Sequence, residues 1–290
     1  MINMHEFPLV LFTVLSQSAV GAFIWCAVAL CCIKTGAEQR ARLNKAMFTI
    51  WVLMGLALAL STMHLGMPFR AINSLFRTGS APLSNEIVGA ALFAGFGFIC
   101  WLLNWRQPEG SGAGKALGWL TVLAGIFFVW AMSNVYRIPT VPVWDTCWTL
   151  VSFIGTTLVG GSALAALLFA FAKIDCSSAP CCIARGGPLA IAGIGIVMGL
   201  IAAIAQIADM SVLQHAPLRD LPELIKACVC LTSVRMVLLL AGVALWACQV
   251  CRKEASASAA VLLIVFLVII AAEMCGRLVF YSMNMTVGMI

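Results

Sequence analysis

Charged side chains are scarce in this protein. They make up 10% of its 290 residues, where an average soluble domain carries about 25%. That shortage, set against 63% apolar residues, excludes a soluble globular enzyme, a disordered chain and a nucleic-acid binder. The formal net charge of +6 does not form a polyanion-binding face, because the Lys and Arg residues fall in short clusters between apolar runs and act as topology signals. Histidine is scarcer still: His5, His64 and His215 are the only three. Two of them lie outside the apolar runs, so a pair of bis-His haems is excluded and no haem is expected. No Lys or Arg precedes Lys34, so the first run lacks the basic start of a cleavable signal peptide. No run alternates like the ten-residue strands of a membrane β-barrel. No internal repeat suggests the inverted halves of a transporter.

What is present is long apolar runs. They cover 8–33, 46–64, 87–105, 116–135, 148–172, 188–208, 228–250 and 259–281, each long enough to cross a bilayer at about 20 residues per helix. Breakers separate them, among them Pro68, Pro82, Pro139, Pro142, Pro188 and Pro217. The expected fold is an all-α integral membrane bundle of eight transmembrane helices, with residues 1–290 forming a single transmembrane domain. Basic residues set the orientation. Lys34, Arg40, Arg42, Lys45, Arg106, Lys115, Lys173, Arg185, Arg252 and Lys253 fall on one side, and only Arg70, Arg77, Arg137, Arg219 and Lys226 on the other. The richer side is cytoplasmic by this rule, so both termini are expected outside. Tyr136, Trp144, Trp148 and Tyr281 fall near the outer boundaries and Trp101, Trp105 and Trp246 near the inner ones, as in an aromatic belt.

Thirteen cysteines do not imply a disulfide framework, which belongs to short secreted chains. Most lie within apolar runs, where a thiol behaves as a small hydrophobe. Cys248-x-x-Cys251, Cys176, Cys181, Cys182, Cys31 and Cys32 gather towards the inner face. Their spacing is not that of a four-Cys cluster, and no bound metal or Fe–S centre is expected in this protein.

Ionisable groups inside spans are costly, so they mark functional candidates. His64 lies in the last turn of the second helix. Glu86 opens the third, after Ser84 and Asn85, which are good N-caps. Arg235 lies in the seventh helix, and Glu273 and Arg277 in the eighth, spaced i,i+4 with the acid first, the favourable order for a helical ion pair. That pair is expected to pin the eighth helix, with Arg235 as a candidate third member. All five groups fall in the outer half of the bilayer, and Arg70 and Arg77 join His64 to Glu86 on that side. The helix dipole alone also favours a His at a C-terminus and an acid at an N-terminus. As chemistry, a His titrating near neutrality and a carboxylate able to pass protons to water suit a hydroquinone, whose oxidation releases two protons. Two other readings compete: a secondary transporter using Arg235, Glu273 and Arg277 as substrate-site charges, and a purely structural anchor.

The most specific string is His64-Leu65-Gly66-Met67-Pro68-Phe69-Arg70-Ala71-Ile72-Asn73-Ser74-Leu75, followed by Leu83-Ser84-Asn85-Glu86-Ile87. It resembles the membrane anchor subunit of bacterial dimethyl sulfoxide reductases. His5-Glu6-Phe7-Pro8-Leu9, Phe128-Val129-Trp130, Val141-Pro142, Arg235-Met236-Val237-Leu238-Leu239, Gly276-Arg277, Phe280-Tyr281 and Met285-Thr286-Val287-Gly288-Met289 extend the likeness along the sequence. The resemblance implies an eight-helix inner-membrane anchor with periplasmic termini and no haem. It further implies menaquinol as substrate, a four-cluster Fe–S electron-transfer subunit and a molybdopterin catalytic subunit as partners, and the tethering of both to the membrane. His64 and Glu86 match the family's quinol-site residues. Ser84 and Asn85 would line that site, and Arg70 and Arg77 would position the headgroup or dock the Fe–S subunit. The inner-face cysteines depart from the family pattern.

Overall fold

The computed structural model describes residues 6–32, 36–64, 77–107, 110–174, 186–212, 221–251 and 258–284. Among these the fold is eight helices: α1 Phe7–Cys32, α2 Ala37–His64, α3 Pro82–Arg106, α4 Gly112–Val135, α5 Cys147–Ala172, α6 Gly187–Val212, α7 Leu221–Cys251 and α8 Ala259–Ser282. All eight contain a segment long and apolar enough to cross a membrane. With no water in hydrocarbon to satisfy backbone groups, a helix that bonds within itself is the stable form of such a run.

Four helices start four or more residues before the apolar runs do: α2 at Ala37, α3 at Pro82, α4 at Gly112 and α7 at Leu221. The added turns are polar and lie at the ends, where apolarity is no guide. In α2 they are held by Arg40, whose Nη1 donates to the Leu30 carbonyl at 2.9 Å, so the first helix's C-terminal carbonyls gain a cationic partner.

The helices alternate in direction. Trp101 Nε1 donates to the Asn44 carbonyl at 2.7 Å and Asn44 Nδ2 donates to the Trp101 carbonyl at 3.1 Å, joining the start of α2 to the end of α3. Their other ends, His64 and Pro82, therefore share the face on which α1 begins. That face is called the N-terminal face below.

Helices α1 and α5 are the most buried and form the centre, while α6 and α7 are the most exposed. The centre depends on small residues. A Cβ on Gly21 would strike the Thr157 carbonyl, and one on Gly161 would strike the Gly21 backbone. Glycine at these two positions lets α1 and α5 touch backbone to backbone, the packing that replaces the hydrophobic drive between helices in lipid. Trp25 Nε1 fastens the same pair by donating to Ser162 Oγ at 2.9 Å. Gly161→Leu is expected to separate the two central helices and sharply reduce the membrane-inserted protein, as read by immunoblot of membranes. A normal level would show that the contact is dispensable.

The aromatic residues at the N-terminal face do not all form a belt. Tyr136, Trp144 and Tyr281 are buried. The α4–α5 connection folds back over the bundle, with Trp144 stacked on Phe280 at 5.2 Å and 12° and its Nε1 donating to the Phe280 carbonyl at 2.9 Å. Trp246, placed by sequence in the inner belt, is buried too, while Trp105 is exposed. An aromatic ring with one polar atom suits a headgroup boundary or a satisfied core equally well, and here packing decides for the core.

Candidate functional site

Two polar groupings lie towards the N-terminal face. The first is at the start of α3. Here Pro82 occupies the first turn and the N-cap is Ala81, with no side-chain cap. Proline suits that place because it lacks the N–H that would go unpaired and its φ is already helical. Ser84 and Asn85 are consequently inside the helix and not its caps, which corrects the expectation from sequence. Asn85 Oδ1 instead accepts from the Gly79 backbone N–H at 2.7 Å, closing the turn that precedes α3. Ser84 is buried.

The earlier helix start carries Glu86 beyond the first turn. It is only 6% exposed, and its Oε1 accepts no hydrogen bond. A buried carboxylate oxygen without a donor is costly, which sets Glu86 apart from an ordinary N-terminal acid serving the helix dipole. Arg77 lies in the turn before α3 and is exposed; its carbonyl accepts from Ser80 and Ala81. α2 ends with the backbone of His64 on the same face. The His64 side chain and residues 65–76, including Arg70, lie outside the described residues, as do His5 and His215.

The second grouping sits between α1, α5, α7 and α8. Arg235 Nη2 meets both Glu273 carboxylate oxygens, at 3.0 and 3.1 Å. Thr156 Oγ1 donates to Glu273 Oε2 at 2.7 Å. Arg277 does not pair directly with Glu273, contrary to the i,i+4 expectation. Its Nη2 donates to Gln17 Oε1 at 3.0 Å and to Thr156 Oγ1 at 3.4 Å, and its guanidinium lies 3.8 Å from the Phe153 ring centroid. Its partners lie on neighbouring helices, where side-chain hydrogen bonds across the interface are part of membrane-helix packing. Arg235 is fitted between glycines: a Cβ at Gly199 or Gly276 would collide with its guanidinium.

A third polar element is a pair of phenols, of which Tyr136 packs against Phe153 and Phe280, the rings nearest the Arg277 guanidinium. Tyr281 Oη donates to Tyr136 Oη at 2.8 Å, in a buried pair. Sequence reasoning missed Gln17, Thr156, Tyr136 and Tyr281 as members of the polar interior.

At the opposite face Cys31, Cys248 and Cys251 are free and exposed. Cys176, Cys181 and Cys182 fall outside the described residues. Among the described residues no His, Cys, Asp or Glu cluster has metal-ligating geometry.

This arrangement can be set beside known proteins. A family model for the dimethyl sulfoxide reductase anchor subunit, DmsC, matches residues 1–283. The protein belongs to that anchor family. The YnfH subunit of an anaerobic dimethyl sulfoxide reductase from Escherichia coli K12 is 37% identical over 286 residues, covering 98% of this sequence and 97% of the relative. The C subunit of the anaerobic dimethyl sulfoxide reductase from the same organism is 38% identical over 288 residues, covering 98% and 97%. The C subunit from Haemophilus influenzae is 33% identical over 290 residues, covering 99% and 98%. This anchor is thus a multi-pass protein of the bacterial inner membrane, the membrane subunit of a dimethyl sulfoxide reductase-type complex in anaerobic respiration. The transporter reading loses its ground, since the arginines and Glu273 that it needed are engaged within the bundle and the family is one of anchors.

Proposed function

We propose that this anchor binds menaquinol at the N-terminal face, oxidises it, and passes the electrons to a four-cluster Fe–S subunit that feeds a molybdopterin catalytic subunit, while tethering both. The observation that carries this reading is Glu86: a carboxyl group buried near a helix start, with Oε1 unpartnered and no ion-pair partner among the described residues. A group so placed has an acceptor to offer a quinol hydroxyl. It sits close enough to the bundle end to release protons to water. His64, which ends the neighbouring helix, supplies a second acceptor titrating near neutrality. Quinol oxidation yields quinone, two protons and two electrons. The protons leave through Glu86 and His64, and the electrons go to the Fe–S subunit. Ser84 and Asn85 shape the wall of the site, and Arg70 and Arg77 hold the headgroup or the Fe–S subunit.

The reading is tested on the purified complex. Added menaquinol should reduce the Fe–S clusters when the anchor is present and leave them oxidised when it is absent, with a dithionite-reduced sample as control. Cluster reduction without the anchor, or none with it, would leave a purely structural tether. A pyridine haemochrome spectrum of the same complex should show no stoichiometric haem, because only one histidine lies in a span.

Orientation follows from the basic residues. The N-terminal face is periplasmic and the face bearing Arg40, Arg42 and Lys45 is cytoplasmic. Cys251, free and exposed at the end of α7, should therefore escape a membrane-impermeant thiol reagent in intact cells and react after permeabilisation. Cys230, on the first half of α7 and also exposed, faces lipid and serves as no control, so a cysteine introduced at Ser80 is the positive control. Strong labelling of Cys251 in sealed cells would reverse the orientation.

A further inference from the structure

A cleft opens at the end of the bundle opposite Glu86, where the end of α1, the start of α2, the end of α3 and the start of α4 meet. It holds about 390 Å³ of space, counting its open side. Its residues are sorted by depth. Arg40, Asn104 and Lys115 line it within a turn of their helix ends. Phe23, Ala27, Met47 and Gly118 line it further in. Phe23 stands nine residues before the end of α1, about 14 Å along the helix at 1.5 Å per residue. Trp119, 47% exposed, stands at the edge. The cleft is thus basic at the bundle end and apolar towards the middle of the membrane.

The two cations have no acid to neutralise them among the described residues. Neither Arg40 nor Lys115 forms an ion pair there, and no Asp or Glu lines the cleft. Arg42, by contrast, is paired with Glu38. Lys34 and Glu109, on the adjoining connections, lie outside the described residues. Arg40 is also held in place. Its Nη1 donates to the Leu30 carbonyl at 2.9 Å. Its Nη2 passes the α3–α4 turn so closely that a Cβ on Gly110 would lie 2.8 Å from it. A guanidinium fixed by backbone on two sides is positioned before any ligand arrives, so little rotamer freedom is left to lose on binding.

We propose that this cleft binds one anionic phospholipid of the leaflet it faces, with the phosphate on Arg40 and Lys115 and the first part of an acyl chain along Phe23, Ala27 and Gly118. Basic pockets between transmembrane helices suit anionic headgroups, and Arg and Lys both make charge-assisted hydrogen bonds to phosphate oxygens. The apolar floor selects a lipid over free phosphate, because only an amphiphile gains by burying hydrocarbon along it. The order of the cleft, cations outermost and hydrocarbon inward, is the order of a phospholipid in its leaflet. In the orientation proposed above, that leaflet is the cytoplasmic one. The lipid would join the ends of four helices around one headgroup. The cleft shares no residue with the quinol site, so this proposal does not depend on that reading.

The test is native mass spectrometry of the purified complex in mild detergent, after incubation with dioleoyl phosphatidylglycerol, with the ethanolamine or choline lipid of the same chains, or with inorganic phosphate. The wild type should retain phosphatidylglycerol in preference to the other two lipids, and inorganic phosphate should not displace it. Arg40→Gln/Lys115→Gln should hold phosphatidylglycerol roughly 30-fold more weakly, the effect of removing two basic residues at an anionic headgroup. Gly118→Leu keeps both cations and fills the floor. Its Cβ would meet only Cys100 Sγ, at an ordinary 3.7 Å, and it should lose the lipid as well. Lys45→Gln/Arg106→Gln removes two exposed charges from the same face outside the cleft, and should bind like the wild type. If Arg40→Gln prevents assembly, Lys115→Gln, on an exposed side chain, and Gly118→Leu carry the test. Wild-type retention in both of these, or an equal loss in the Lys45/Arg106 variant, would overturn the proposal. Displacement of the lipid by inorganic phosphate would overturn it too, leaving a simple anion site.

Discussion

Glu86→Gln and His64→Ala are each expected to lower quinol-driven electron transfer by about 10²–10⁴, the usual loss when a positioned acid–base group is removed. The protein should still insert and still hold its partner subunits. Glu86 makes no ion pair among the described residues and its Oε1 has no hydrogen-bond donor, so an uncharged amide of the same shape leaves no partner stranded and relieves the cost of a buried charge. For His64, at the last position of α2, the folding cost is that of a lost helix-end contact, about 1 kcal/mol. Activity and assembly should therefore separate. The measurement is oxidation of a quinol analogue in membranes, with a dye electron donor to the extrinsic subunits as control. Normal quinol rates alongside normal dye rates in both variants would move the site elsewhere.

Arg235→Ala should do the reverse: assembly fails and little protein accumulates. Arg235 contacts both oxygens of Glu273, and Glu273 is 1% exposed. Removing one partner of a buried ion pair typically costs about 3–5 kcal/mol, because the other charge is left uncompensated. That is a large part of a membrane bundle's margin if the margin resembles the roughly 5–15 kcal/mol of soluble proteins. Arg277→Ala should be milder, because Glu273 keeps both Arg235 and the Thr156 hydroxyl. What it forfeits is the contact with the Phe153 ring and a donor to Gln17, of order ~2 kcal/mol together. Glu273→Leu should fail like Arg235→Ala, whereas the double variant Arg235→Leu/Glu273→Leu should recover much of the level, since apolar replacement of a whole pair is often neutral. Quantitative immunoblots of membranes, with pulse-chase half-lives, give the order. Equal levels for Arg235→Ala and Arg277→Ala would show that the direct pair is not the stronger tie.

The contrast between these two results reflects what each cluster is for. The Arg235–Glu273 pair is closed: charge meets charge, Thr156 fills a further position, and glycines on α6 and α8 shape the space around the guanidinium. Glu86 is open, with a free oxygen near the bundle end. A stabilising group is satisfied by the protein, while a group that must exchange a proton with a ligand keeps a place for it. Sequence position alone ranked these differently for Arg277, which i,i+4 spacing joined to Glu273. The tertiary contacts give Arg277 to Gln17 on α1 and Thr156 on α5.

The eight helices, their order and the placement of His64 and Glu86 on one face were determined by the sequence itself. The reason is that a bilayer admits few answers: an apolar run of sufficient length must satisfy its own backbone, and basic clusters between runs mark one side. Family membership was legible because the strings around His64 and Glu86 are specific in residue type, where the apolar runs are not. Only the tertiary structure decided how the polar interior is wired. Gln17 and Arg277 stand 260 residues apart in sequence, and nothing local relates them. Thr156 sits on a helix where other hydroxyls, such as Thr157, bond their own backbone carbonyls one turn away, so a hydroxyl in a span does not announce a cross-helix partner. Tyr136 and Tyr281, at the ends of apolar runs, suited a lipid boundary as well as a core. The fold turned them inward because the α4–α5 connection closes over the bundle and brings the two phenols together.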